Sequence, residues 1–206
     1  MAQQSYNSLL NFTLRVRGPQ SNSKKAWSAL RKGLVPTLEH YAYPYVLPHL
    51  ESTNDQTATL RAIGLIAEFK DIPAQKPDKD GKYQWKSVGT WAAEVSRALA
   101  NNKNIEVNPN TKNIELSPDN PDRIGQLLAY LHTQNLEEAV RTLYRIMHMT
   151  KNLNNVPAMH FGALINVLTY WGNGISEESR EHRLTLIRDY YSAVFPKKEK
   201  TEETEA

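Results

Sequence analysis

Residues 24–34, KKAWSALRKGL, carry four cations at a spacing that suits phosphate chemistry. Read as a helix capped by Ser23, the segment places Lys25 and Lys32, seven residues apart, on one side. Lys24 and Arg31 flank that stripe at the same spacing, while Trp27, Leu30 and Leu34 share the inward face. No acid lies within the segment to pair with them. A lysine ammonium or an arginine fork in this setting holds a phosphate oxygen without reading a base.

Cationic pairs recur further along. In WKSVGTWAAEVSRALAN, residues 85–101, a helix from about Ser87 gathers Val88, Trp91, Val95, Ala98 and Leu99 into one apolar stripe. Arg97 falls on the opposite face, with Lys86 almost in line with it. In the segment after Asn135, Leu136, Ala139, Val140, Leu143 and Met147 face inward and Arg141 and Arg145 sit one turn apart outside. Tyr41, Tyr43 and Tyr45 offer rings on which bases stack. The plain alternatives are solvated polar faces for the cations and a helix-pinning cluster beside Pro44 and Pro48 for the tyrosines.

The net charge of +3 hides an uneven distribution. Residues 1–112 hold 15 Lys and Arg against 9 Asp and Glu; residues 113–206 hold 10 against 13. Within the first fifty residues six basic side chains (Arg15, Arg17, Lys24, Lys25, Arg31, Lys32) meet one acid, Glu39. A basic N-terminal half favours a polyanionic partner by raising local phosphate concentration and encounter rate.

Signs of catalysis are missing. The sequence has no cysteine, which excludes disulfides, zinc thiolates and cysteine nucleophiles. Its six histidines are scattered, without HExxH, so no metal site is expected. GxxxxGKS/T, GxGxxG and GxSxG are all absent, so neither a cofactor nor a small-molecule substrate is expected. Glu177, Glu178 and Glu181 read as partners of a helix dipole. Apolar runs fall short of a membrane span and no signal peptide opens the chain, which points to a cytoplasmic protein.

The elements that must carry these cations read as helices. Residues 1–5 are expected to fray, 9–16 to form a short helix, and 18–22 to break it. Pro44 starts a short helix that Pro48 kinks or ends. A helix over 57–69, apolar on nearly every side, is expected at the centre of the first bundle. Arg61 interrupts it and must reach a partner or the surface. Residues 71–83 read as a mobile polar loop, and the asparagine-rich stretch 102–116 as a linker with short strands at 105–107 and 114–116.

Ser117, Pro118 and Asp119 then open a helix through Leu131, and Asn135 with Glu138 forms a capping box for the next. A third helix spans 156–171 and stops at Gly172-Asn173-Gly174; a fourth runs from Ser176 to Phe195 before Pro196. In the fourth, Leu184, Ile187 and Tyr191 are expected inside. The expected fold is all-α: an N-terminal helical bundle (1–101), the linker (102–116), an antiparallel four-helix bundle (117–196) and a disordered charged tail (197–206).

Six stretches in this order resemble the CasB family, the small subunit of the type I-E CRISPR Cascade surveillance complex. They are WSALRKG from Trp27, YPYVL from Tyr43, VSRALAN from Val95, DRIGQLL from Asp122, RTLYR from Arg141 and LTYWG from Leu168. The linker and acidic tail look longer here than in that family. The resemblance implies a non-enzymatic protein of two helical bundles, present as two copies beside the large and backbone subunits. It also implies a basic surface that steadies the crRNA–target duplex and guides the displaced non-target DNA strand.

By position, Arg31 and Lys32 match the family's basic pair, Arg61 a family arginine, Arg97 that of RALAN, and Arg123, Arg145 and Arg141 those of the following helices. Where some members carry basic residues after Trp171-Gly172, this chain has Asn173-Gly174, and Arg180 or Arg183 is the expected replacement. The expected nucleic-acid contacts are thus Lys24, Lys25, Arg31, Lys32, Arg61, Lys86, Arg97, Arg123, Arg141 and Arg145. The alternative is a helical scaffold whose basic faces dock acidic protein neighbours and never touch nucleic acid.

Overall fold

The computed structural model of the chain describes residues 2–20, 22–50, 53–77, 79–80, 84–101, 121–172 and 174–195. The expected linker, with its two strands, the Ser117–Asp119 cap and the tail lie outside the described residues. Among the described residues the fold is all-α, with nine α-helices, short 3-10 turns and one isolated bridge between Ala74 and Met159. No described helix is long and apolar enough to cross a membrane.

The helices are α1 (Ala2–Arg17), α2 (Lys24–Lys32), α3 (Tyr43–Val46), α4 (Gln56–Glu68) and α5 (Val88–Asn101), followed by α6 (Arg123–Ala129), α7 (Leu136–Met149), α8 (Phe161–Thr169) and α9 (Glu177–Val194). Helix α1 begins seven residues before the expected start at Leu9. Helix α8 begins at Phe161 rather than at 156, because Met159 pairs in extended form with the 73–75 segment and His160 caps the helix instead. The same pairing holds part of the loop that was expected to be mobile: Gln75 donates to the Met159 carbonyl at 2.9 Å and Met159 to that of Pro73 at 2.9 Å.

Helix α4 is central, as its apolar sequence requires. Every residue from Ala58 to Ala67 is buried, and α1, α2, α7 and α8 pack around it. Leu60, Ile63, Leu65 and Ile66 are fully removed from solvent, each contributing about 2 kcal/mol of hydrophobic stabilisation. Trp27 pins α2 to this helix by donating its indole N–H to the Ala67 carbonyl at 2.7 Å. Carbonyls at the C-terminal end of α4 and in the turn after it are met by Arg17, whose guanidinium donates to Ile66, Phe69 and Ile72 at 2.9, 3.1 and 2.8 Å. Burial pushes the Arg17 pKa down to about 10, which still leaves it charged at neutral pH.

The most extensive helix pair is α5 with α9. Contact this close depends on Gly89, where a Cβ would stand 2.1 Å from the Leu186 carbonyl oxygen. Helix α5 therefore buries Gly89, Ala92, Ala93 and Ser96 as well as the expected Val88, Trp91 and Val95. Ser96 and Asp122 both bond the Tyr190 hydroxyl, at 3.0 and 2.6 Å, joining α5, α6 and α9 in one polar node. The helix expected in the N-terminal bundle is thus paired with the last helix of the C-terminal one. A single hydrophobic cluster runs from Leu9 to Tyr190.

Helix ends follow local chemistry. Asn135 and Glu138 form the capping box expected for α7, and Ser176 caps α9. Helix α6 is capped by Asp122, which accepts from the Gly125 amide at 2.8 Å. On α9 the buried residues are Ser179, Arg183, Leu186 and Tyr190; Leu184, Ile187 and Tyr191 are half-buried. This one-step rotation of the inward face follows from Arg183, which donates to the carbonyls of Trp171, Gly172 and His132 at 2.8, 2.7 and 3.1 Å. Gly172 is in the left-handed region at φ +60°, the turn that presents its carbonyl to Arg183.

Candidate nucleic-acid interface

Three adjoining depressions cross the surface of the protein. The first, about 570 Å³, is walled by Lys25, Lys32, His40, Tyr41 and Tyr45. Lys32 and Ser28 also line the second, about 750 Å³, together with Arg31, Glu68, Arg141, Tyr144 and Arg145. Tyr144 and Arg145 continue into a third of about 660 Å³, with Arg123 and His148. Six of the ten expected cations, Lys25, Arg31, Lys32, Arg123, Arg141 and Arg145, therefore line one track that runs from α2 across α7 to α6.

Helix geometry produces this convergence. Arg141, Tyr144, Arg145 and His148 recur every three or four residues, so they stand on one exposed edge of α7. The buried Val140, Leu143 and Met147 fix that edge outward. On α2 the seven-residue spacing of Lys25 and Lys32 does the same. Among the described residues no carboxylate pairs with Lys25, Lys32, Arg123, Arg141 or Arg145. The acid that lines the track is Glu68, which accepts from Arg31 Nε at 2.5 Å. Arg31 keeps its side chain 41% exposed, so it remains reachable with its charge partly balanced.

The remaining expected contacts lie elsewhere. Arg61 is 1% exposed, which removes it from any surface set. Its guanidinium donates to Glu39 at 2.7 Å, to Glu137 at 2.8 Å and to the Gly33 carbonyl at 2.5 Å, joining α2, α4 and α7 from inside. Burial opposes this charge, but the two carboxylates outweigh burial and raise its pKa. Lys86 precedes α5 rather than sharing its outer face with Arg97, and donates to Glu94 at 2.7 Å. Arg97 is exposed and bonds the Ala193 carbonyl in the last turn of α9, a favourable place for a cation. Lys24 lies in a separate hollow with Arg17, Lys70 and Asp71.

Of the two residues expected to replace the missing basic pair, Arg180 is exposed, whereas Arg183 is buried in the network at the α8–α9 turn. Two members of the track escaped sequence reasoning. Tyr144 and His148 follow Arg141 and Arg145 by three residues, and that helical spacing was a usable signal. Among the described residues no three His, Asp or Glu side chains come close enough to hold a metal ion.

No curated protein matches the sequence. A solved chain described as "CRISPR RNA-guided surveillance complex" is similar to this one with a TM-score of 0.63, covering 94% of this chain and 93% of its own at 19% identity. At that identity the likeness is one of fold. Residues 26–191 match the family described as CRISPR-associated protein Cse2, a span that runs from within α2 to most of α9 and takes in every track cation except Lys25. With that match over most of its length, and with the order of motifs that pointed to the same small subunit, the chain belongs to the CRISPR-associated protein Cse2 family.

Proposed function

We propose that this protein is a non-catalytic subunit of a type I-E CRISPR Cascade complex, cytoplasmic, and that its basic track holds nucleic-acid backbone within that assembly. The observation that carries this reading is the shared groove of Arg31, Lys32, Arg141 and Arg145, whose cations come from helices distant in sequence. Their type and exposure suit phosphate contacts that position a strand while guide pairing supplies sequence recognition. The similar solved chain is described as an RNA-guided surveillance complex, which supports partnership with other subunits of such a complex and with crRNA. The resemblance of the sequence motifs extends the proposal to the large and backbone subunits, a second copy and the target and non-target DNA strands.

A scaffold reading is favoured by a different surface. Tyr130, Tyr170 and Ile175 are 72%, 63% and 82% exposed, and flank the turn where Arg183 ties His132 to Gly172. Apolar exposure of this degree suits a protein neighbour. The two readings separate in one experiment, in which Arg31, Lys32, Arg141 and Arg145 are all changed to Glu and the complex is purified around the variant. Intact assembly with DNA retention lost at moderate salt supports the track. Impaired assembly with normal retention per assembled complex makes the track itself a protein-docking face, whereas a scaffold acting through Tyr130, Tyr170 and Ile175 leaves both assembly and retention unchanged in this variant. Unchanged assembly and retention overturn the role given to these four residues.

A further inference from the structure

We propose that the Tyr41 end of the track is a base-stacking site, so that the ligand of the track is a single strand whose unstacked base lies on the Tyr41 ring. This rests on the nucleic-acid reading above and names the form of nucleic acid it takes.

The three tyrosines of the 41–45 segment have separate fates. Tyr43 donates its hydroxyl to Glu39 at 2.9 Å, and Tyr45 stacks on Phe12 with ring centres 6.1 Å apart; both are half-buried. Tyr41 is 48% exposed and lines the first depression beside Lys25 and Lys32. Its position is fixed from below. It ends the 3-10 turn Glu39–Tyr41, and Glu39 is tied both to buried Arg61 at 2.7 Å and to the Tyr43 hydroxyl. A ring on so anchored a turn loses little conformational freedom when a base lands on it.

The surroundings supply what a strand needs. The Lys32 ammonium stands 3.7 Å from the centre of the Tyr41 ring, and the His40 ring is 4.3 Å away on a 34° tilt. Lys32 also lines the neighbouring groove with Arg31, Arg141 and Arg145. A phosphate in that groove draws the ammonium off the ring along its flexible stem, and uncovers a π-face beside the groove. Lys25 lies on the same side to hold the next phosphate. The bases of a duplex are already stacked on one another, so this ring engages a single strand and not a double one.

The test is binding of the full-length chain, at one fixed salt concentration, to a labelled oligothymidine and to an abasic strand of equal length and charge. The first comparison needs no variant: the wild-type chain binds oligothymidine more tightly. Tyr41→Phe keeps that preference. Tyr41→Leu loses roughly 5- to 150-fold in affinity for oligothymidine and is unchanged on the abasic strand. Equal wild-type affinity for the two strands overturns the stacking site while leaving the phosphate track intact. So does a Tyr41→Leu loss of the same size on both. Failure of the wild-type chain to hold either strand overturns this inference, while the reading of the track within the assembly stands or falls with the four-residue variant of the complex.

Discussion

Arg31 on α2 and Arg145 on α7 line the same groove although more than a hundred residues separate them in the chain. Both helices pack on α4, so α4 sets the distance between the two cations. On the proposed reading this groove holds a polyanion by charge and shape, and its occupancy should then fall with salt in proportion to the phosphates neutralised. Each of Arg141→Ala and Arg145→Ala should lower the slope of log K against log salt by about 0.7 on single-stranded DNA. Arg31→Ala should lower it less, because Glu68 already balances part of that charge. Arg180→Ala, outside the track, leaves the slope where it was. An unchanged slope in the Arg141/Arg145 double variant removes α7 from the interface.

Arg61 is expected to matter for stability and not for charge recognition. Replacing it with Met leaves Glu39 and Glu137 without their cation, their side chains only 18% and 33% exposed. Removal of one partner from a buried ion pair destabilises by about 3 kcal/mol, and the partial water access of these acids places the loss near that lower end. Urea unfolding should show a lower midpoint with an unchanged m-value. The folded variant should keep the wild-type salt slope on single-stranded DNA. A wild-type midpoint would mean that the Arg61 network contributes nothing, and a reduced slope would restore Arg61 to the interface.

Much of this was legible in the sequence, for physical reasons that differ by residue. The capping box of α7 is local chemistry, so Asn135 and Glu138 announced it. Apolarity on all sides placed α4 at the centre, and the cost of burying a lone charge required Arg61 to find partners. Which partners it found was not legible, since Glu39 and Glu137 lie on other elements. The same limit hid Glu68 from the reading of α2 as an unpaired basic row. Arg183 looked like a surface cation because nothing in its own helix shows that three carbonyls of distant turns converge on it. The pairing of α5 with α9 was missed because small residues, Gly89 and Ser96, meet α9, and they leave little trace in a hydrophobic pattern.

Gly89 offers a sharp test of that pairing. An alanine there puts its methyl carbon 2.1 Å from the Leu186 carbonyl oxygen and 2.9 Å from the Asp189 Cβ, so α5 and α9 must move apart. Overpacking of this kind costs about 1–3 kcal/mol, and the clash with backbone rather than a side-chain tip points to the upper end. Gly89→Ala should lower the thermal midpoint by several degrees in a domain of this size. Gly18→Ala, whose new Cβ meets only backbone carbonyls at 3.3 and 3.7 Å, serves as a milder control. Equal stability of the two variants would show that the close α5–α9 contact is dispensable.

His160 links stability to pH through one hydrogen bond. Its Nδ1 accepts from the Ala163 amide at 3.0 Å and so caps α8, a role open only to the neutral ring. Burial holds its pKa below the usual histidine range. As pH falls, the unfolded chain therefore takes up this proton before the folded one does. Stability from this group is complete above about pH 6.5 and is lost as the pH drops toward the depressed folded value. Asn at the same position supplies a capping oxygen that does not titrate in this window. The five other histidines are shared, so they cancel when the variant is compared with the wild type. Between pH 7 and 5 the wild-type chain should lose more unfolding free energy than His160→Asn, the gap widening with acid. Parallel pH profiles for the two proteins would show that the cap survives protonation and that His160 is not the titrating group.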